Sequence, residues 1–355
     1  MYKNRRRTTM RALVKYGNKD GEVRIADVPM PEIGPDDILL QTKAVGICGW
    51  DIEMWRHKMA NPVTVPVIQG HEFCGVIDKV GANITDWKVG DRVVSETGAE
   101  ICGSCPQCLT GNYQLCSKRK GFGYGVDGAF TDYVKVRRGC LHHLPDNVDF
   151  DYGCLTEPAC VAYQALVVLS DVRPGTPVLI IGPGPVGLFA LQIAKACSAG
   201  PVMVAGVDKD APRFEVAKQL GADRIINVMK QDPKEVVMEM TKGLGCPLVV
   251  DAAGNSKALE LAVFAVARQG QITKIGWGPK PVDFSLDPLL SKAARIQGTF
   301  SHNWPTWEAV IAMISQESLK MEPMISHRIT IDQWEETFKA IEESEGVKAV
   351  MQFNR

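Results

Sequence analysis

Four cysteines close together offer the first chemistry in this chain. The stretch "ICGSCPQCLTGNYQLC" spaces Cys102, Cys105, Cys108 and Cys116 as C-x2-C-x2-C-x7-C. Four thiolates on one Gly- and Pro-containing loop can surround a tetrahedral ion. Zinc suits an all-sulfur set, and such a set leaves no open position, so the expected role is structural. An iron–sulfur cluster is the alternative, because C-x2-C-x2-C runs occur there too. A second signal lies in "IIGPGPVGLFALQIAKA", where Gly182-x-Gly184-x-x-Gly187 follows an apolar run and opens an amphipathic one. The first glycine permits a tight turn, the second lets backbone approach a pyrophosphate, and the third lets helix pack on strand. The phosphates would rest on the helix N-terminus, where unpaired N–H groups and the dipole favour anions. A second apolar run ends at Asp208. Its carboxylate suits an adenosine ribose and repels a 2′-phosphate, so NAD is favoured over NADP. Lys209 beside it is the feature that could soften that choice.

The elements that must position these groups fall into two patterns. Up to about residue 150, short apolar runs such as "DILLQTKAVGI", "CGVIDKV" and "DRVVSE" alternate with Gly, Pro and Asp turns, the pattern of a small β-barrel or sandwich. "TEPACVAYQALVVL" then reads as a helix, with Glu157 and Pro158 suited to its first turn. From residue 177, strands and helices alternate through "PVLIIG", "VMVAGVD", "PLVVDAAG", "GQITKIGWG" and "RIQGTF". This predicts a parallel sheet covered on both faces. Helices at "WPTWEAVIAMI" and "IDQWEETFKAIEE" and a strand at "KAVMQF" close the chain.

Length and composition narrow the classes. A chain of 355 residues suggests two domains. A net charge of −1 gives no bulk case for nucleic acid or an anionic membrane. The basic run Arg5-Arg6-Arg7 has no apolar segment behind it, so residues 1–9 are expected to be a disordered leader and not an export signal. The cysteine count of 11 is odd, which argues for metal or structural thiols over a disulfide framework and for a cytoplasmic location.

The motifs also carry a likeness. "QGHEFCGVIDKVGANI" holds Gly70-His71-Glu72, Gly75 and Gly81, and "KVGDRVV" follows at 88–94. With Cys48 upstream, the four-cysteine loop and the dinucleotide fingerprint in this order, the chain from Met10 onward resembles the zinc-containing medium-chain dehydrogenases. That resemblance implies an α/β chain with a β-rich, GroES-like catalytic domain over 10–161 and 301–355. This domain is split around a Rossmann NAD-binding domain over 162–300. It implies a second, catalytic zinc in addition to the structural one. Position by position, Cys48 and His71 match the family's catalytic zinc ligands, and Glu72 matches the glutamate beside the metal. Glu157 stands where classical alcohol dehydrogenases carry another cysteine, and its Glu-Pro context is similar to the sorbitol and polyol dehydrogenase branch. Cys154 and Cys160 align less well.

Two departures matter. The family passes its proton through a Ser or Thr two positions after the first cysteine, and here that position is Trp50, which only donates. His302, in "GTFSHNW", falls where the polyol branch faces its pocket and is a candidate for substrate contact or proton transfer; His57 is another. Trp50 and Trp55 could shape a pocket for a sugar-like substrate or could simply be core. The resemblance implies zinc- and NAD-dependent oxidation of a secondary alcohol in a polyol or sugar-like molecule by a homodimer or homotetramer, with the "RIQGTF" strand as a candidate edge. Threonine dehydrogenase-like or simple secondary-alcohol chemistry is the alternative, and a non-catalytic dinucleotide-binding protein the remote one.

Overall fold

The computed structural model describes residues 8–59, 62–278 and 280–353. The basic run at 5–7 lies outside them. Thr9, placed in the expected leader, pairs with Pro29 in an antiparallel ladder.

The alternating half forms a 6-stranded parallel sheet. Its spatial order is Arg224–Asn227, Val202–Gly206, Val178–Ile181, Cys246–Asp251, Val266–Lys274 and Arg295–Gly298. The strands Val178–Ile181 and Val202–Gly206 are buried along their whole length, as expected of strands covered on both faces. The strand order reverses about Val178–Ile181, whose end feeds the Gly182 turn and then the helix Pro185–Ala196. This is the switch point at which open α/β sheets bind ligands.

The β-rich half is a mainly antiparallel 7-stranded sheet with a 3-stranded sheet beside it. In the larger sheet Asp37–Gly46 pairs with Glu72–Val80 on one side and with the late strand Lys348–Gln352 on the other. That register sets Val350 opposite Gly46 and Glu72 opposite Gly46. It therefore draws the last strand of the chain next to residues of the first hundred. The helix Thr156–Tyr163 connects the halves, packing on both Pro185–Ala196 and Trp304–Ser315. One apolar core runs through this junction, from Ala44 and Cys74 to Val178 and Trp307. Beyond Tyr163 the expected α-helix widens into a π-turn over Gln164–Val168, a form frequent at functional sites. Among the described residues no helix is long and apolar enough to cross a membrane.

Candidate active site

Cys48, His71 and Glu72 come from two adjoining strands. Cys48 follows Asp37–Gly46 and caps the helix Gly49–Trp55, its N–H donating to Asp51 Oδ2 at 2.9 Å. His71 and Glu72 sit at the start of the neighbouring strand. Gly70 turns the chain into it with φ +94, where a Cβ would press on Phe130 at 2.9 Å. The donor atoms of Cys48, His71 and Glu72 lie within 4.8 Å of one another. His71 and Glu72 are buried; His71 Nδ1 and Asp51 Oδ1 face each other at 3.8 Å without a hydrogen bond, and Glu72 Oε1 has no hydrogen-bond partner. Burial, then the charge of Glu72, pushes the Cys48 thiol well above its ordinary range. Orphaned buried donors and a suppressed thiolate are what a bound cation would satisfy. One thiol, one imidazole and a carboxylate are also the mixed donors of an open zinc site, so the residues fit the ion.

Lys348 completes this corner and had no signal in the sequence beyond a charge at the head of an apolar strand. It is 2% exposed. Its ammonium donates to Ile47 O at 2.7 Å and pairs with Glu72 Oε2. Burial works against its charge, but Glu72 and Cys48 hold the ammonium above its usual value. Only Oε1 of Glu72 is left for an ion.

Glu157 lies in the first turn of Thr156–Tyr163, and lines a cavity of about 190 Å3 together with His71 and Trp50. Burial opposes its charge, while the His302 hydrogen bond holds its carboxyl below the ordinary value. His302 is buried, with Nε2 3.0 Å from Glu157 Oε1 and Nδ1 accepting from Trp307 Nε1 at 2.7 Å. An indole can only donate, so Nδ1 is the acceptor and Nε2–H donates to Glu157. Both ring nitrogens are thereby occupied. In this geometry the His302 ring, expected to touch substrate or relay a proton, orients Glu157 and holds both nitrogens in hydrogen bonds. Trp307, fully buried, is the part that sequence reasoning missed. His57 is exposed at the end of the helix Gly49–Trp55.

The two tryptophans divide. Trp50 lines the cavity and meets Tyr124 edge-on at 5.9 Å, with its N–H buried and unpartnered. Trp55 is core, packed on Trp334 and Phe338.

The four-cysteine loop closes on itself. Sγ–Sγ distances are 3.8 Å for Cys102–Cys108, 3.5 Å for Cys105–Cys108 and 3.6 Å for Cys116–Cys102. A tetrahedron with zinc–sulfur bonds of about 2.3 Å has edges of roughly 3.8 Å. The sulfurs therefore fit one ion; a cluster, whose cysteines bind separate irons, would spread them further. Backbone N–H groups of Ser104 and Cys105 draw the Cys102 thiol down to about 6. The loop is also tied to the active-site side. Tyr113 donates to Glu96 at 2.6 Å, Glu96 meets His142 at 3.2 Å, and His142 stacks on Trp307 with ring centres 5.4 Å apart.

At the switch point Gly182 has φ +100, and a Cβ there would meet Ala253 N at 2.9 Å. A Cβ on Gly187 would strike the Gly182 carbonyl, so turn and helix are in direct contact. Gly184 opens to free space, with nothing within 4 Å of its Cβ position, and it caps a 12-residue helix. That is the gap a pyrophosphate needs. Asp208 lies two residues past the strand end, exposed, and accepts from Asn227 Nδ2 at 2.8 Å.

Comparison with known proteins agrees with this architecture. Residues 34–146 match the alcohol dehydrogenase GroES-like domain, and residues 185–316 match the zinc-binding dehydrogenase domain. The chain is 35% identical to D-arabitol-phosphate dehydrogenase of Enterococcus avium, covering 98% of each chain. The chain belongs to the zinc-type alcohol dehydrogenase family. Within that family it is also 34% identical to sorbitol dehydrogenase of Halalkalibacterium halodurans, over 96% of this chain and 99% of the relative. A zinc-binding dehydrogenase of Sinorhizobium meliloti 1021, solved bound to NADP, superimposes with a TM-score of 0.89 at 26% identity, covering 98% and 100% of the two chains. Both family expectations for the fold therefore hold: a GroES-like β-rich part and a Rossmann sheet.

Proposed function

We propose that this zinc-type dehydrogenase oxidises a secondary alcohol of a polyol to the ketone with NAD. The observation that carries the reading is the cluster of Cys48, His71 and Glu72, joined through His71 to a cavity that Glu157, Trp50, Trp277 and Phe300 also line. The likeness to sorbitol and D-arabitol-phosphate dehydrogenases supports the polyol class.

Cys48, His71 and one or both glutamates would hold the catalytic zinc, and Cys102, Cys105, Cys108 and Cys116 the structural one. When bound, zinc supplies Lewis-acid polarisation of the substrate hydroxyl, and the nicotinamide supplies the hydride acceptor. The chain's own residues do the rest. Burial raises the Glu72 carboxyl above its ordinary value, and Lys348 works against that shift while it aims Glu72 with one free oxygen. Trp307 and His302 fix the Glu157 carboxylate by one oxygen and leave the other toward the cavity. Trp50, which cannot accept a proton, excludes water and packs on the carbon face of the substrate. The hydroxyl proton therefore passes to a carboxylate oxygen of Glu157 or to water beside it, in place of a hydroxyl relay. Gly182, Gly184 and Gly187 would seat the pyrophosphate, and Asp208 the adenosine ribose, which favours NAD although the Sinorhizobium relative holds NADP.

The division into 10–161 with 301–355 and 162–300 belongs to this proposal. So does pairing of a second copy along the sheet edge Arg295–Gly298, where Ile296 is part-exposed. A screen of NADH formation over polyols, polyol phosphates, cyclitols, simple secondary alcohols and L-threonine tests the substrate class. Polyol oxidation is the expected result; turnover of threonine or 2-propanol with inert polyols contradicts it.

A further inference from the structure

The wall of the 190 Å3 cavity that also bears Glu157 and His71 carries a cation that forms no ion pair among the described residues. Arg119 donates to Tyr124 Oη at 2.5 Å and Thr97 Oγ1 at 2.7 Å, and reaches Ser301 Oγ at 3.5 Å. All three partners are neutral hydroxyls. Among the described residues Arg119 forms no ion pair, although its neighbour Lys120 has Glu100. The nearby carboxylates have other partners: Glu157 bonds His302 through one oxygen, and Glu96, next to Thr97, meets Tyr113 and His142.

The guanidinium is also held in place. Its Nε lies 3.5 Å from the position of a Gly98 Cβ, and Gly121 leaves the room that the Tyr124 ring occupies. A half-buried guanidinium on a cavity wall, hydrogen-bonded only to neutral hydroxyls, is an arrangement that binds an acceptor-rich anion, because its fixed fork matches carboxylate and phosphate oxygens.

We infer that this wall is an anion subsite and that the substrate is a polyol carrying a phosphate monoester or carboxylate, bound by Arg119 away from the carbinol that is oxidised. The polyol skeleton rests on the function proposed above; the anion subsite rests on Arg119 alone. It makes Arg119 a specificity-determining residue, one that the sequence offered only as the middle of "KRK".

Inorganic phosphate is the probe, titrated calorimetrically into the zinc-loaded enzyme with NAD bound. Saturable binding to the wild type, weakened about tenfold or more in Arg119→Met and less in Arg119→Lys, is the expected result. Absent binding, or equal affinity in wild type and a folded Arg119→Met, overturns the inference. A second measurement compares kcat/KM for ribitol, ribitol 5-phosphate and ribonate. A preference for an anionic member that collapses in Arg119→Met is expected, and the member preferred tells ester from carboxylate. Equal use of ribitol and both anions by the wild type overturns the anionic substrate while leaving the polyol reading intact. Phosphate binding through Arg119 with every polyol inert does the reverse: it removes the polyol reading and keeps the anion subsite.

Discussion

The four-cysteine loop draws all its donors from residues 102–116, whereas the cluster around Cys48 gathers its donors from positions 48, 71 and 72, with Lys348 behind Glu72, and the nearby Glu157 is held by His302. The loop's sulfurs are spaced as the corners of a tetrahedron, on a partly exposed stretch of chain. The other cluster is buried and leaves polar atoms without partners. A closed set of like donors is a staple. An open, mixed set held by a second layer of side chains is a place where something else must bind. The difference explains why one centre is cheap to encode locally and the other needs the whole fold.

The sharpest way to break that comparison is to remove one donor from each centre. Cys48→Ala is expected to bring NADH formation close to background while leaving the far-ultraviolet dichroism and thermal midpoint near those of the wild type. Cys105→Ala is expected to do the opposite in kind: the midpoint falls and the loop becomes protease-sensitive, and activity is lost only as structure is lost. Equal effects on stability would erase the distinction between staple and open site.

Next in size is Lys348→Met. It leaves the buried Glu72 carboxylate without its partner, a loss of about 3–5 kcal/mol that would appear as a clear drop in thermal midpoint of the metal-free protein. A midpoint unchanged by that substitution would show that Glu72 does not depend on Lys348.

Trp307→Phe is expected to be milder. It keeps the packing but removes the N–H that holds the His302 tautomer. Zinc at the mixed site should become roughly 10–100-fold easier to extract with a chelator, with the loop zinc unaffected. If extraction rates do not change, the Trp307–His302 pair does not orient a ligand. Smallest is Asp208→Ala, which removes a carboxylate from the exposed end of a strand. It should raise KM for NAD and narrow the gap to NADP without changing kcat; an unaltered coenzyme ratio would remove Asp208 from the ribose site.

What could be read from the sequence follows the same division. The cysteine loop and the glycine turn are legible from spacing, because their donors are neighbours in the chain. The parallel sheet is legible from alternating buried strands and amphipathic helices. Cys48, His71, Glu72 and Glu157 are readable only through likeness to a family, since nothing local links them. Lys348 and Trp307 were invisible: each looks like an ordinary member of a strand or helix until the pairing of Lys348–Gln352 with Asp37–Gly46, and the packing of Trp304–Ser315 on Thr156–Tyr163, bring them to the site. Trp50 and Trp55 show the limit most plainly. The same residue type, five positions apart on one short helix, gives one cavity wall and one core side chain, and only the helix's docking decides which.

The central claim is two ions with opposite roles in one chain. Zinc content by atomic emission, measured on wild type, Cys48→Ala and Cys105→Ala in parallel with activity, tests it most directly. The account predicts about two zinc ions per wild-type chain, and about one in each variant. Activity should disappear in Cys48→Ala while the fold remains. A wild-type chain holding one zinc, or a Cys48→Ala chain that keeps two, would contradict it.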